Sequence, residues 1–326
     1  MVASRPLIPL AAAFVVLWSS GFVGAEMGTR LTGADTLLMW RFIAASALLV
    51  AFCALTGRRV TRAALRRHVP LGVVMQFVYL GGVFLGVQLG VSASTTALIA
   101  ALQPLLVALA VARFGSHAAE PHRLSPMRLT GLALGFAGVV LVVGTGLASG
   151  AAPSWAYALP IVAMLGLGAG TFAAGRSADP VDVVTGMTIQ MSTAAVGFGT
   201  WALLHGAAAP PLTWAFVGAE AWLVVLAGFG GYGTYLALIG RHGSSIASVL
   251  LYLTPPTTAV WTALMFGEPL SLLALVGMAV SALGVALFVR RGSPAGRDVT
   301  PGDGGSRAPA PPATTGRGAG SGQAAP

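Results

Sequence analysis

The sequence predicts an all-α membrane protein: ten transmembrane helices arranged as two inverted five-helix repeats, with both termini cytoplasmic. Three observations predict it. Ten apolar stretches are each long enough to cross a bilayer. Arginine falls almost wholly on one set of the loops between them. Landmarks of the first half recur in order in the second. Composition agrees, with 56 % of residues hydrophobic and only 8 % charged, where a soluble domain carries about 25 % charged residues.

In chain order the stretches are Leu7–Ala25, Thr36–Leu55, Val69–Leu89, Thr95–Ala112, Leu129–Leu147, Trp155–Ala173, Val181–Leu204, Ala219–Ile239, Ser245–Met265 and Leu270–Val289. Each runs roughly 18–24 residues, against the ~20 that cross the hydrocarbon core. Only helices fit, because lipid cannot satisfy the open backbone groups of a strand. Alternate loops and the termini carry Arg5; Arg58, Arg59, Arg62, Arg66 and Arg67; Arg113, Arg123 and Arg128; Arg176; Arg241; and Arg290, Arg291 and Arg297. The opposite loops hold Arg30 alone. Basic loops stay in the cytoplasm, so the first set marks the inner face. Trp40, Trp155, Trp201, Trp214, Trp222 and Trp261 fall at or near the outer span ends, the headgroup level that indole prefers. Trp18 lies about 17 Å into the first span at 1.5 Å per residue, the depth of an inner cavity. Arg5 and Val23-Gly24-Ala25 also have the form of a signal peptide, but the repeat argues for a retained first span.

Other classes are excluded in turn. The net charge of +9 comes from span ends and not from one basic face, so no nucleic-acid partner is expected. Cys53 is the single cysteine, which rules out an internal disulfide framework. Every basic residue is Arg, a usage that suggests a GC-rich bacterium and hence its cytoplasmic membrane. No HExxH, Walker A or GxSxG motif occurs, so neither an enzyme nor a bound cofactor is predicted. The histidines (68, 117, 122, 205 and 242) are placed in loops or at span ends, and no metal cluster is expected. Gly228-Phe-Gly230-Gly-Tyr-Gly233 matches GxGxxG but lies inside a span, following no strand. Residues 292–326 are mostly Gly, Ala, Pro, Ser, Thr and Arg, and read as a disordered cytoplasmic tail.

The repeat divides the chain into residues 1–147 and 148–291. Leu124-Ser125, Gly131 and Gly138 align with Leu270-Ser271, Gly277 and Gly284, and Ala101-Leu-Gln-Pro104 aligns with Tyr252-Leu-Thr-Pro255. Five spans per half is odd, so the second half enters from the opposite side. Inverted repeats place a binding site at their interface near the midplane.

Trp18-Ser-Ser-Gly-Phe-Val-Gly-Ala, Trp40-Arg-Phe, Leu102-Gln-Pro-Leu, Leu251-Tyr-Leu-Thr-Pro, Phe266-Gly-Glu-Pro-Leu and Gly277…Gly284 stand in order along the chain. As an ordered set they resemble the EamA-type members of the drug/metabolite transporter superfamily, over about residues 7–290. The resemblance implies a secondary transporter, often an exporter of amino acids, related metabolites or toxic compounds. Similar sequences often carry Lys near the end of the first span, where this chain has Glu26.

The candidate pathway residues are Trp18, Ser20, Glu26, Arg41, Gln76, Tyr79, Gln103, Gln190, Tyr232 and Tyr252. Glu26 and Arg41 are the sharpest, since charge within or beside a span usually faces a partner or the interior. They are expected near the outer face, as a brace or gate if they pair. With no carboxylate near a span midpoint, Glu26 is the expected coupling group should a proton be the coupling ion. The glutamines and tyrosines suit a cavity for amphipathic or zwitterionic solutes; interhelical hydrogen bonds are the plainer account. Pro104 and Pro255 hold equivalent repeat positions and are predicted to kink the fourth and ninth spans. Gly82, Gly86 and Gly90 form a packing stripe, leaving monomer and homodimer both open. Glu268-Pro269 is expected to open the tenth helix. The reading is a solute exporter working by alternating access in a lipid bilayer. A facilitative exchanger without ion coupling, or a membrane sensor or assembly protein signalling through the tail, is the alternative.

Overall fold

The computed structural model describes residues 7–106, 126–174, 181–242, 250–267 and 271–289, and every regular element among them is helical. Residues 107–125, Glu268-Pro269 and residues 292–326 lie outside the described residues. In order, the helices are α1 (Leu7–Thr29), α2 (Ala34–Leu55), α3 (Arg62–Gly72, a π-helical stretch Val73–Val78, then Tyr79–Gln88) and α4 (Ala93–Ala100). There follow α5 (Pro126–Ser149), α6 (Ala158–Ala174), α7 (Val183–Leu204), α8 (Trp214–Ala221, a π-helical stretch Trp222–Tyr232, then Gly233–His242), α9 (Thr254–Phe266) and α10 (Leu272–Val289). Five helical runs are long and apolar enough to cross a membrane: Leu7–Thr29, Ala34–Leu55, Arg62–Gln88, Ser154–Ala174 and Trp214–Leu238. Across the described helices, outward faces carry bare leucines such as Leu55, Leu204, Leu264 and Leu272, each at least 78 % exposed. A water-soluble monomer rarely presents so much apolar surface.

Polar caps, not hydropathy, set the helix starts. Thr61 accepts from the Ala64 amide at 3.1 Å and opens α3, so Arg62, Arg66, Arg67 and His68 lie on a helix and not in a loop. Thr213 accepts from the Phe216 amide at 3.2 Å and opens α8 at Trp214. Glu220 therefore stands well inside α8 and not at its first turn. Asp182 caps α7 from just outside the helix, accepting from the Val184 and Thr185 amides and the Thr185 hydroxyl and pairing with Arg58.

Burial works against the Asp182 carboxylate, but the Thr185 and Val184 bonds and the nearby Arg58 offset it and hold this group below its ordinary range. A depressed carboxyl stabilises the fold above its unfolded value of ~3.9 and loses that contribution as pH falls through the lower native value. Asp182→Ala should cost about 1 kcal/mol, as lost N-caps do, and Asp182→Asn much less, measured by thermal unfolding in detergent near neutral pH. Equal loss from both would assign the effect to Arg58 alone.

Packing follows a regular scheme. Helix α1 lies against α8 and α9, and α6 lies against α3 and α4; α2 packs on α7, α4 on α9 and α5 on α10. Exchanging each helix with the one five places along maps this scheme onto itself. The α5–α10 contact is the most intimate. A Cβ on Gly138 would strike the Gly277 carbonyl and the Ser281 amide, and one on Gly284 would meet the Gly131 carbonyl at 2.6 Å and the Gly135 backbone. The glycines aligned between halves thus face each other reciprocally, as two-fold partners do. Gly82 and Gly86 are taken up within the chain, against Leu159, Pro160 and Ala163 of α6 and its N-terminal edge.

The prolines differ from expectation. Rather than bending a continuous helix, each follows a two-residue break, Ala101-Leu102 before Pro104 and Tyr252-Leu253 before Pro255. Pro255 then occupies the first turn of α9, where a missing amide is no loss because those amides have no intrahelical acceptor. The break at α9 is tied to α1, with the Ser19 hydroxyl donating to the Thr254 carbonyl at 3.3 Å.

Candidate functional site

A cavity of about 510 Å³, counting its open mouth, lies among α1, α2, α3, α7 and α8. Trp18, Gly21 and Phe22 come from α1, Arg41 from α2, Met75, Gln76, Tyr79, Leu80 and Val83 from α3, Met191 from α7, and Ala227, Gly228 and Tyr232 from α8. Both π-helical stretches contribute, Met75 and Gln76 from the first and Ala227, Gly228 and Tyr232 from the second. A π-helical turn widens the helix and recurs at functional sites. Here it turns Gln76 and Tyr232 inward. Gly231 makes room for the approach of α1, since a Cβ there would meet the Leu17 carbonyl at 3.0 Å.

One wall is aromatic. Trp18 packs on Tyr79 with ring centroids 6.4 Å apart and on Tyr235 at 4.9 Å, and Tyr232 stacks on Tyr235 at 6.2 Å. Such pairs contribute beyond their buried area and make this wall rigid. The opposite feature is Arg41, a guanidinium only 5 % exposed. It lies 5.4 Å from the Phe42 ring and 5.5 Å from the Phe84 ring, cation–π contacts that recover part of its lost hydration. Its Nη1 has no hydrogen-bond partner.

Five of the residues singled out in the sequence meet at this cavity: Trp18, Arg41, Gln76, Tyr79 and Tyr232. Gln190 stands directly behind it. The Tyr232 hydroxyl donates to Gln190 Oε1 at 2.6 Å, and Gln190 Nε2 lies 3.0 Å from His68 Nδ1. Gln76 Nε2 approaches the Tyr232 hydroxyl without completing a hydrogen bond. The other four lie elsewhere. Ser20 is back-bonded to the Leu17 carbonyl at 2.6 Å. Gln103 is fully buried beside Gly168, with neither amide atom hydrogen-bonded. Tyr252 lines a separate small cleft with Leu98, Ala101, Pro255 and Met278. Glu26 binds Arg30 at 2.7 Å, one helical turn away, and not Arg41. An i,i+4 spacing places Arg30 within reach on the same helix face, while Arg41 points into the bundle.

Two buried polar groups escaped the sequence reading. His68, 5 % exposed, was assigned to a span end because its arginine-rich surroundings look like a loop. Glu220, second residue of the apolar stretch that begins at Ala219, drew no notice beside that boundary. Neither of its carboxylate oxygens has a hydrogen-bond partner, and Arg41 is the charge that acts on it. The Thr213 capping signal seven residues before Glu220 is visible in the sequence and moves that boundary. Among the described residues no cluster of three or more His, Cys, Asp or Glu forms a metal site.

The Gln190 link is testable. Gln190→Leu removes both the acceptor of the Tyr232 hydroxyl and the bond to His68. Leaving buried polar groups without these partners should cost about 1–3 kcal/mol, read by thermal unfolding. Stability equal to wild type would make this chain of bonds dispensable.

Comparison with known proteins then adds the family. A solved structure titled only "Crystal structure of protein" aligns with a TM-score of 0.62 at 20 % identity, over 86 % of this chain and 96 % of that one; it shares the fold. No curated protein matches the chain. The family model of the EamA-like transporter family matches twice, at residues 6–144 and 154–290. Those two matches take in both sets of helices around the cavity, and the chain belongs to the EamA-like transporter family.

Proposed function

We propose that this protein is a secondary transporter that exports amino acids, related metabolites or toxic small molecules across a bacterial cytoplasmic membrane by alternating access. The observation that carries the reading is Arg41: a buried guanidinium whose Nη1 has no hydrogen-bond partner, lining a cavity walled by helices of both repeats. Charge is costly inside a span and is kept where it meets a solute or a partner. The aromatic wall suits an apolar moiety, while Gln76 and Tyr232 suit a polar head. The exchange symmetry of the packing and the reciprocal α5–α10 glycines support two repeats related by a two-fold axis. With five spans each, such repeats are inverted and bring both termini to the arginine-rich, cytoplasmic face.

The helix breaks before Pro104 and Pro255 are the proposed bending points. Alanine at either position restores an amide and lets the half-helices join, which should change the transport rate without preventing insertion. The experiment is uptake of a labelled amino-acid and nucleobase panel into inside-out vesicles, with and without a pH gradient. Accumulation of one solute, altered in both proline variants, is the expected result. No accumulation by the wild type would remove the exporter reading; wild-type rates in both variants would remove the hinges.

A further inference from the structure

We propose that Glu220 is a proton-binding group linked to Arg41, so that a solute of net negative charge enters the cavity together with one proton. The inference rests on reading the cavity as a solute site. It begins from two buried charges that act on each other without a direct bond. Arg41 lines the cavity with its Nη1 unpartnered, and both Glu220 oxygens are buried without a hydrogen bond. The Glu220 turn packs against α1 and α2. Helix α1 brings Glu26, already bound to Arg30, and α2 brings Asp35, which accepts from the Thr36 amide at 2.8 Å, and Arg41. Of these, Arg41 alone acts on Glu220.

Charge conservation then sets the coupling. With both groups ionised, Arg41 and Glu220 sum to zero. A carboxylate that docks on Arg41 takes over its positive charge and leaves the site at minus one. A buried, uncompensated carboxylate is strongly disfavoured in a span. One proton from water, taken up by Glu220, returns the sum to zero. Solute and proton therefore favour each other's binding, and by linkage the effect is reciprocal. A zwitterion brings its own positive charge and needs no proton. An anionic monocarboxylate would leave the cell with its proton, as an electroneutral acid, driven by its own gradient.

The test uses the purified full chain in detergent and two probes, phenylacetate and neutral 2-phenylethanol, which share the ring that the aromatic wall would hold. Calorimetric titration in buffers of different ionisation enthalpy counts the protons bound. On the alkaline side, where Glu220 is ionised before binding, phenylacetate should bind with uptake approaching one proton, its affinity weakening up to ~tenfold per pH unit; 2-phenylethanol should bind without uptake. Glu220→Gln should bind phenylacetate with neither uptake nor pH dependence. The wild-type proton count is decisive even if that variant fails to fold. Phenylacetate bound without protons, or uptake that persists in Glu220→Gln, overturns the linkage and leaves the solute site standing. Binding of 2-phenylethanol without phenylacetate overturns Arg41 as the anchor, and the linkage with it. Binding of neither probe removes the cavity as a solute site and the proposal falls with that reading.

Discussion

Gly284→Leu should destabilise the protein by about 3 kcal/mol, the upper range for overpacking a tight contact, and give the largest folding loss of any single substitution considered. The cause is the nature of the neighbour. At most buried positions a new methyl group meets the flexible end of a side chain, which swings away. At Gly284 it meets the Gly131 carbonyl at 2.6 Å and the Gly135 backbone. Backbone in a helix has nowhere to go unless the whole helix moves. The loss spreads, because the same crossing seats Gly138 against Gly277 and Val142 against Gly277. Association of helices in lipid draws on close packing and not on a hydrophobic driving force, so separating α5 from α10 forfeits most of what joins them. Gly144→Ala is the control on the partner helix α5: open space surrounds that position, and alanine favours a helix by roughly 0.5–1 kcal/mol. Thermal unfolding in detergent, followed by circular dichroism, separates the two. A Gly284→Leu protein as stable as Gly144→Ala would mean that α5 and α10 do not touch as described.

The same glycines show how far sequence carries the fold. Their spacing was readable because close approach admits only one side-chain type, and a constant offset between halves is a pattern that survives without any structure. The five helical runs long and apolar enough to cross a membrane were readable for a similar reason, since hydropathy is a property of composition. What was lost lies where local backbone chemistry overrides composition. Hydropathy placed the start of α8 at Ala219, whereas a threonine cap starts it at Trp214, and that shift carries Glu220 from the rim into the helix. The arginines before His68 read as a loop by charge, yet Thr61 caps a helix there. The π-helical stretches at Val73–Val78 and Trp222–Tyr232 left no signature in residue type, although they turn Gln76 and Tyr232 to the cavity. Proline identity suggested a bend at Pro104 and Pro255, but the break sits at Ala101-Leu102 and Tyr252-Leu253, one residue upstream of each. Glu26 drew attention as the visible acid near Arg41, and the nearer partner one turn along, Arg30, took it.

Arg41→Gln should lower transport, or carboxylate binding, about 10- to 100-fold, the loss of one charge-assisted hydrogen bond worth ~1.5–3 kcal/mol. Its effect on stability distinguishes function from scaffolding. A guanidinium that only braced the fold would have its hydrogen bonds filled by the protein. Arg41 instead leaves Nη1 open and rests on the Phe42 and Phe84 rings, an arrangement that holds the charge in place without consuming its donors. Removing it still carries a cost, because Glu220 then keeps a buried negative charge with nothing opposite. The single variant should therefore lose roughly 1–3 kcal/mol at alkaline pH and recover on acidification, as Glu220 takes up a proton. Arg41→Gln with Glu220→Gln removes both charges together, and replacing a buried opposite pair by neutral groups is often neutral or stabilising. The double variant should unfold no earlier than wild type and still fail to transport. Thermal scans at two pH values beside a vesicle uptake assay make the comparison. A double variant that is as weak as the single one would make Arg41 a structural brace, and full activity in either would take it out of the pathway.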